Sequence, residues 1–160
     1  MREKLSKLKV AADMIVASHT EYCNAKCDMN YIKSILLSGA AIGILHPYLV
    51  EKGCIPSQSE FTNLLNSYNK MSGLAVVKES ESIAFSRLVY NSLKHAGNPK
   101  KRIKATDDLE FIADLRGEAY QLLTDSVGDI SKALSLGDIS SLDVSLDLLT
   151  IIQSPFCLDD

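Results

Sequence analysis

Residues 31–51 constrain this chain most. The stretch is apolar nearly all round a helix, at Ile35, Leu36, Leu37, Ile42, Ile44 and Leu45. A helix without a polar face needs neighbours on several sides, so it belongs in the middle of a helical bundle. Its small residues, Ser38-Gly39-Ala40-Ala41 and Gly43, let another helix approach closely. In a membrane Gly39-x-x-x-Gly43 would be a dimer motif; in a water-soluble bundle it means tight packing at both glycines. The longest apolar run, Ser34 to Leu45, is too short to cross a bilayer and contains two glycines.

The other segments supply the neighbours. Residues 3–26 carry Leu5, Leu8, Ala12, Ile15 and Ser18 along one helical face. Asp28-Met29-Asn30 breaks and caps. Pro47 kinks or ends the second helix, and Gly53-Cys54-Ile55-Pro56 is a loop. Ser57-Gln58-Ser59-Glu60 has capping-box spacing and starts a third helix to about Tyr68. Val76 to Lys94 reads as a fourth helix, stopped by Gly97-Asn98-Pro99. Thr106 or Asp107 caps a fifth, with Leu109, Ile112, Leu115, Ala119, Leu122 and Val127 as its buried stripe. Ile139 to Ile152 is a last helix, whose Asp143 and Asp147, like the carboxylates of the fifth helix, read as solvent faces. No strand alternation, internal repeat or linker interrupts this pattern. The expectation is an all-α single domain over 1–160, a bundle of five or six helices.

Charge is divided unevenly. Residues 1–106 hold fifteen Lys/Arg against eight Asp/Glu, and residues 107–160 hold two against twelve. The two parts can attract each other within one fold or across a dimer, or the basic part can face a polyanion. The four cysteines, Cys23, Cys27, Cys54 and Cys157, form no C-x-x-C pair, and the N-terminus lacks a signal-type apolar core. These features point to a reducing, cytoplasmic setting without membrane attachment. His19, Cys23 and Cys27 stand at i, i+4 and i+8, but one straight helix does not gather three ligands round an ion, so no metal is expected and the cysteines read as free. No phosphate-cradling glycine loop, G-x-S-x-G or H-E-x-x-H is present, and no cofactor is implied.

The candidate site lies near residue 90. Arg87, Asn91 and His95 share one face of a continuous helix. Lys94, Lys100, Lys101, Arg102 and Lys104 follow, with Tyr90 the one aromatic residue close by. A guanidinium, an amide and an imidazole beside several cations can grip a phosphodiester, with His95 moving a proton near neutral pH and Arg87 meeting charge on phosphate. The same residues equally describe a polar helix end, where a histidine meets the dipole, beside a solvated loop.

Two segments carry a resemblance. Residues 31–45 match a pattern of roughly aromatic-x-x-A-x-x-L-A-G-A-A-E-x-I-L-G, and Asn91-Ser92-Leu93-Lys94-His95-Ala96 matches R-N-x-L-K-H-A. Asp114 to Leu123, with Glu118-Ala119, resembles the helix that follows. Together these segments resemble a group of small bacterial all-helical proteins of HEPN-like type. The resemblance implies a homodimer in a bacterial defence or toxin–antitoxin setting, binding RNA or another phosphate-bearing ligand. It also implies metal-independent ribonuclease chemistry at Asn91 and His95. Tyr90 replaces the motif's arginine and Ile42 its early glutamate, so whether the chain is an enzyme stays open. The alternative is a non-enzymatic module that docks a partner protein through its helices.

Overall fold

The computed structural model describes residues 6–95, 104 and 110–154. Every element among them is helical. The order is α1 (Lys7–Cys23), α2 (Asp28–Glu51), α3 (Ser57–Met71), α4 (Glu79–Ser86), α5 (Leu88–Lys94), α6 (Leu115–Ser135) and α7 (Leu146–Gln153), with a 3-10 turn at Ser141–Asp143.

Helix α2 is the axis of the bundle, as its all-round apolar surface requires. It packs against α1, α6 and α5. Ala11, Ala12 and Ile15 of α1, Ala41, Leu45 and Leu49 of α2, Leu123, Val127 and Ile130 of α6, and Leu148 of α7 form the main core. Ile35 and Ile42 of α2, Val89 of α5, and Ala119 and Leu122 of α6 form a second cluster. By length and composition α2 is apolar enough to cross a membrane; here eight of its residues are buried in the bundle. Pro47 does not end it. The carbonyl that loses its donor belongs to the exposed Gly43, within reach of water.

Where α1 meets α2 the contact is polar and close. Ser18 Oγ lies 2.8 Å from Ser34 Oγ, 2.6 Å from Ser38 Oγ and 3.0 Å from the Ser34 carbonyl, all buried. Ser38 is thus one of the small residues that let a neighbour in, and Gly39 is another. A Cβ at residue 39 would fall inside the Tyr90 ring of α5. Gly43 differs from expectation: nothing lies within 4 Å of a Cβ there, because it faces solvent.

Other boundaries also shift. The expected helix over 76–94 breaks at Arg87 into α4 and α5. The fifth helix begins at Leu115, where the Asp114 carboxylate accepts from the Gly117 amide at 3.1 Å. Ile112 is therefore fully exposed instead of buried, and the cap expected at Thr106 or Asp107 lies outside the described residues. The last helix begins at Leu146, capped by the Ser145 hydroxyl, which accepts from the Leu148 amide at 3.2 Å. The charge asymmetry is partly met inside the fold: Lys52 pairs with Asp138 at 2.6 Å, and Asp138 also accepts from Tyr48 Oη at 2.9 Å.

Candidate functional site

Helix α3 buries mostly polar side chains and exposes most of its apolar ones. Its buried residues are polar: Gln58, Ser59, Thr62 and Asn69. Of its apolar residues Leu65 is half-buried, but Phe61, Leu64, Tyr68 and Met71 are exposed, Leu64 by 68% and Met71 by 89%, beside the polar Glu60, Asn63, Ser67 and Lys70. Several inward polar groups hold neighbouring segments. The Thr62 hydroxyl donates to the Gln58 carbonyl and lies 2.8 Å from Ser82 Oγ of α4. Asn66 clamps Val77 from both ends of its amide, at 2.8 and 2.9 Å, and Asn69 donates to the Ala75 carbonyl at 3.1 Å. The strap between α3 and α4 is thus pinned along α3 by side-chain amides. Its turn uses Gly73 at φ 70°, a left-handed conformation that favours glycine.

The N-terminal end of α3 meets a buried polar cluster. The Ser57 amide, an unmatched donor of the first turn, donates to Asp129 Oδ1 of α6 at 2.7 Å. Pro56 precedes the helix and no local side chain caps it, so this contact from α6 replaces the expected capping box. Glu60, the other half of that box, instead pairs with Lys132 at 2.7 Å. A Cβ on Gly128 would press on Ser57 Oγ at 2.6 Å, which explains how α6 comes so near. Arg87 Nε donates to Gln58 Oε1 at 2.8 Å, and Gln121 Nε2 donates to Asp125 Oδ1 at 3.1 Å. Two buried atoms of this cluster, His46 Nδ1 and Arg87 Nη2, have no hydrogen-bond partner.

Burial governs the charges here. It pushes the Asp125 carboxyl up to about 6, against hydrogen bonding from Gln58 and Gln121 and with repulsion from Asp129. It likewise raises Asp129, opposed by the Ser57 hydrogen bonds and by Lys132. Burial lowers Arg87, while Asp129, Tyr90 and Asp125 hold its charge in place. His46 is lowered by burial and then by Arg87, so it stays neutral near pH 7.

Beside the cluster is a cavity of about 270 Å³ lined by Gln58, Phe61, Phe85, Ser86, Gly117, Glu118, Gln121 and Asp125. Phe61 and Phe85 are both exposed, and Phe61 begins the apolar stripe of α3. Burial and then Asp114 raise the Glu118 carboxyl.

The residues near position 90 divide between interior and surface. Arg87 sits at the α4–α5 joint with φ −108° and ψ 10°, and its guanidinium turns inward to Gln58. Asn91 is exposed on α5 and His95 just past its end, where the His95 amide donates to the Asn91 carbonyl at 3.0 Å. Arg87 caps α5, and its carbonyl still accepts from the Asn91 amide at 2.9 Å. Only its guanidinium turns away, toward buried Gln58, while His95 ends the helix in an extended conformation with φ −137° and ψ 140°. Tyr90 is half-buried over Gly39, with Lys94 Nζ 5.3 Å from its ring centre. Lys104 is exposed; Lys100, Lys101 and Arg102 lie outside the described residues.

Gln58, His46, Asp125 and Asp129 were not expected at a site. Asp125 and Asp129 were expected on a solvent face, yet they follow Leu122 at three- and then four-residue spacing, in phase with the buried stripe. That phase is the signal that places them inside. Among the cysteines, Cys23 is disulfide-bonded, against the free-thiol expectation, while Cys27 and Cys54 are free. His19 Nε2 lies 3.4 Å from Cys23 Sγ, whereas Cys27 has passed to the start of α2 and contacts Asn30 Oδ1.

No protein-family model matches the chain, and no curated protein and no solved structure matches it. The HEPN-like resemblance accordingly stands on the residues quoted for it.

Proposed function

We propose that this chain is a non-enzymatic docking module that binds a protein partner through the outer face of α3. The observation that carries the reading is the exposed apolar face of α3. A solvated helix of a soluble bundle turns polar residues outward. This one exposes Phe61, Leu64, Tyr68 and Met71 along one face; Phe85 of α4 lines the same cavity as Phe61, and Leu74 and Val76 on the strap are exposed as well. Contiguous apolar surface of this kind marks an interaction site. The helix beneath is held rigidly by its amide and hydroxyl contacts, so the face is presented ready-made.

The second reading is the HEPN-like one: RNA or another phosphate-bearing ligand held by Asn91, Lys94, His95 and the following cations. It is favoured by the exposure of Asn91 and Lys94 on α5 and of His95 just past its end. Its weakness is Arg87, whose guanidinium is occupied by Gln58 and faces two buried aspartates.

One experiment separates them. The parent chain, a Leu64→Glu/Tyr68→Glu variant and an Asn91→Ala/His95→Ala variant are compared for protein assembly and for RNA binding at low salt. The docking reading expects a stoichiometric protein complex, reconstituted from purified components, that only the α3 variant loses. RNA binding lost only in the α5 variant, with no protein complex, overturns it in favour of the second reading.

A further inference from the structure

We propose that the occupant of the α3 face is a second copy of this chain, its α3 laid antiparallel so that the partner's Lys70 and Met71 meet the Phe61 cavity. This rests on the docking reading and names its partner.

Phe61, Leu64, Tyr68 and Met71 follow the three–four–three spacing of a helix–helix seam. A two-fold axis makes one patch serve both sides, so a seam of this form is complementary to itself. In the antiparallel arrangement the axis passes between Leu64 and Tyr68. Leu64 then faces the partner's Tyr68, and Phe61 faces the partner's Met71.

Charge chooses between the two directions. At the N-terminal end of α3 the cavity is lined by Glu118 and Asp125. Glu60, also at that end, is already paired with Lys132. At the C-terminal end stands Lys70, exposed and beside the seam. A parallel pair would set acid on acid and base on base. An antiparallel pair sets each Lys70 at the acidic cavity of the other copy.

The cavity suits those side chains. Its acceptors are the Glu118 and Asp125 carboxylates, the Gln121 carbonyl oxygen and the Ser86 hydroxyl, which already donates to the Ser82 carbonyl at 3.1 Å. The Gln58 amide, on a residue only 2% exposed, is already turned to Asp125 and adds no free donor to the cavity. An acceptor-rich site calls for a donor-only group such as an ammonium. The aromatic rims Phe61 and Phe85 suit a lysine stem or a thioether. At about 270 Å³ the cavity holds a side chain and not a helix, which is what a seam end delivers.

The test uses the full chain with Cys27 and Cys54 changed to Ser, carrying either Phe61→Cys or Met71→Cys. Residues 61 and 71 lie about 15 Å apart along a helix at 1.5 Å per residue. The expected result is a dimer by light scattering in which a mixture of the two variants cross-links, while either alone does not. Lys70→Glu is expected to weaken the dimer by about tenfold, and Lys70→Glu with Glu118→Lys to restore it. Cross-linking by Phe61→Cys alone means a parallel pair and overturns the arrangement. A chain that stays monomeric at every concentration, or a dimer indifferent to Leu64→Glu/Tyr68→Glu, overturns the second copy as occupant. The docking reading is judged separately, by whether a different purified protein binds the parent and not that variant.

Discussion

The Tyr90 ring occupies the space that a side chain at residue 39 would need. Gly39 has no Cβ, and the ring carbons Cε2 and Cγ lie 2.6 Å from where one would stand. Gly39→Ala must therefore push α5 away from α2 and is expected to cost about 1–3 kcal/mol. Gly43→Ala, one turn later and open to solvent, is expected to stabilise by up to about 1 kcal/mol through helix propensity. Thermal melts of the two variants check this; equal shifts would show that Tyr90 does not hold α5 against Gly39.

Asp125 makes stability depend on pH. Its folded value of about 6 lies above the ordinary 3.8. The folded state thus binds the proton more tightly than the unfolded chain does. The stabilisation is complete below about pH 4 and is lost as pH rises through about 6. The groups facing Asp125 are Gln58, Gln121, Asp129 and Arg87, of which Arg87 alone opposes the loss with positive charge. Asp125→Asn is expected to flatten the pH dependence between 4 and 7 by an amount on the order of 2 kcal/mol. Urea titrations across that range measure it. An unchanged slope would mean that Asp125 reaches water.

Arg87 is expected to matter for folding more than for ligand. Arg87→Ala removes the partner of Gln58 Oε1 and the positive charge near Asp125 and Asp129, a loss of about 2–4 kcal/mol. Asn91→Ala and His95→Ala, at exposed positions, should each change stability by less than about 0.5 kcal/mol. Denaturant midpoints distinguish them; equal, small effects from all three would place Arg87 on the surface with the others.

The start of α3 depends on a carboxylate from α6. Asp129→Ala removes the acceptor for the Ser57 amide and should cost about 1–2 kcal/mol, in the range of a lost helix cap. Because the acceptor is supplied from another helix, the loss should loosen α3 locally. Amide exchange at Ser57 to Glu60 is the readout, and protection equal to the parent would refute the cap.

How far the sequence discloses this fold depends on the element. The central position of α2 is legible because a helix apolar all round has few options. The serine and glycine contacts follow from the same stretch, except at Gly43, where smallness serves no neighbour. The break at Arg87 is not legible, since no proline or glycine marks it, and the guanidinium there bonds Gln58, 29 residues away. The α3 stripe is visible as a period, but a period states which residues share a face and not whether that face looks inward. That depends on Ser82, Asp129 and Arg87, which come from three other places in the chain. In the candidate site the spacing of Arg87, Asn91 and His95 is kept along the backbone, but a period cannot say that the Arg87 guanidinium turns inward to Gln58 while Asn91 and His95 stay exposed.

The three serines between α1 and α2 have a consequence for assembly of the bundle. An apolar seam tolerates sliding, since one methyl group replaces another at little cost. Ser18 meets Ser34 and Ser38 at one alignment only. A displacement of α1 by one helical turn, about 5.4 Å, would strand buried hydroxyls against aliphatic neighbours. The hydroxyl trio thus works as a vernier: it adds little to the strength of the helical hairpin and sets its position to a single notch.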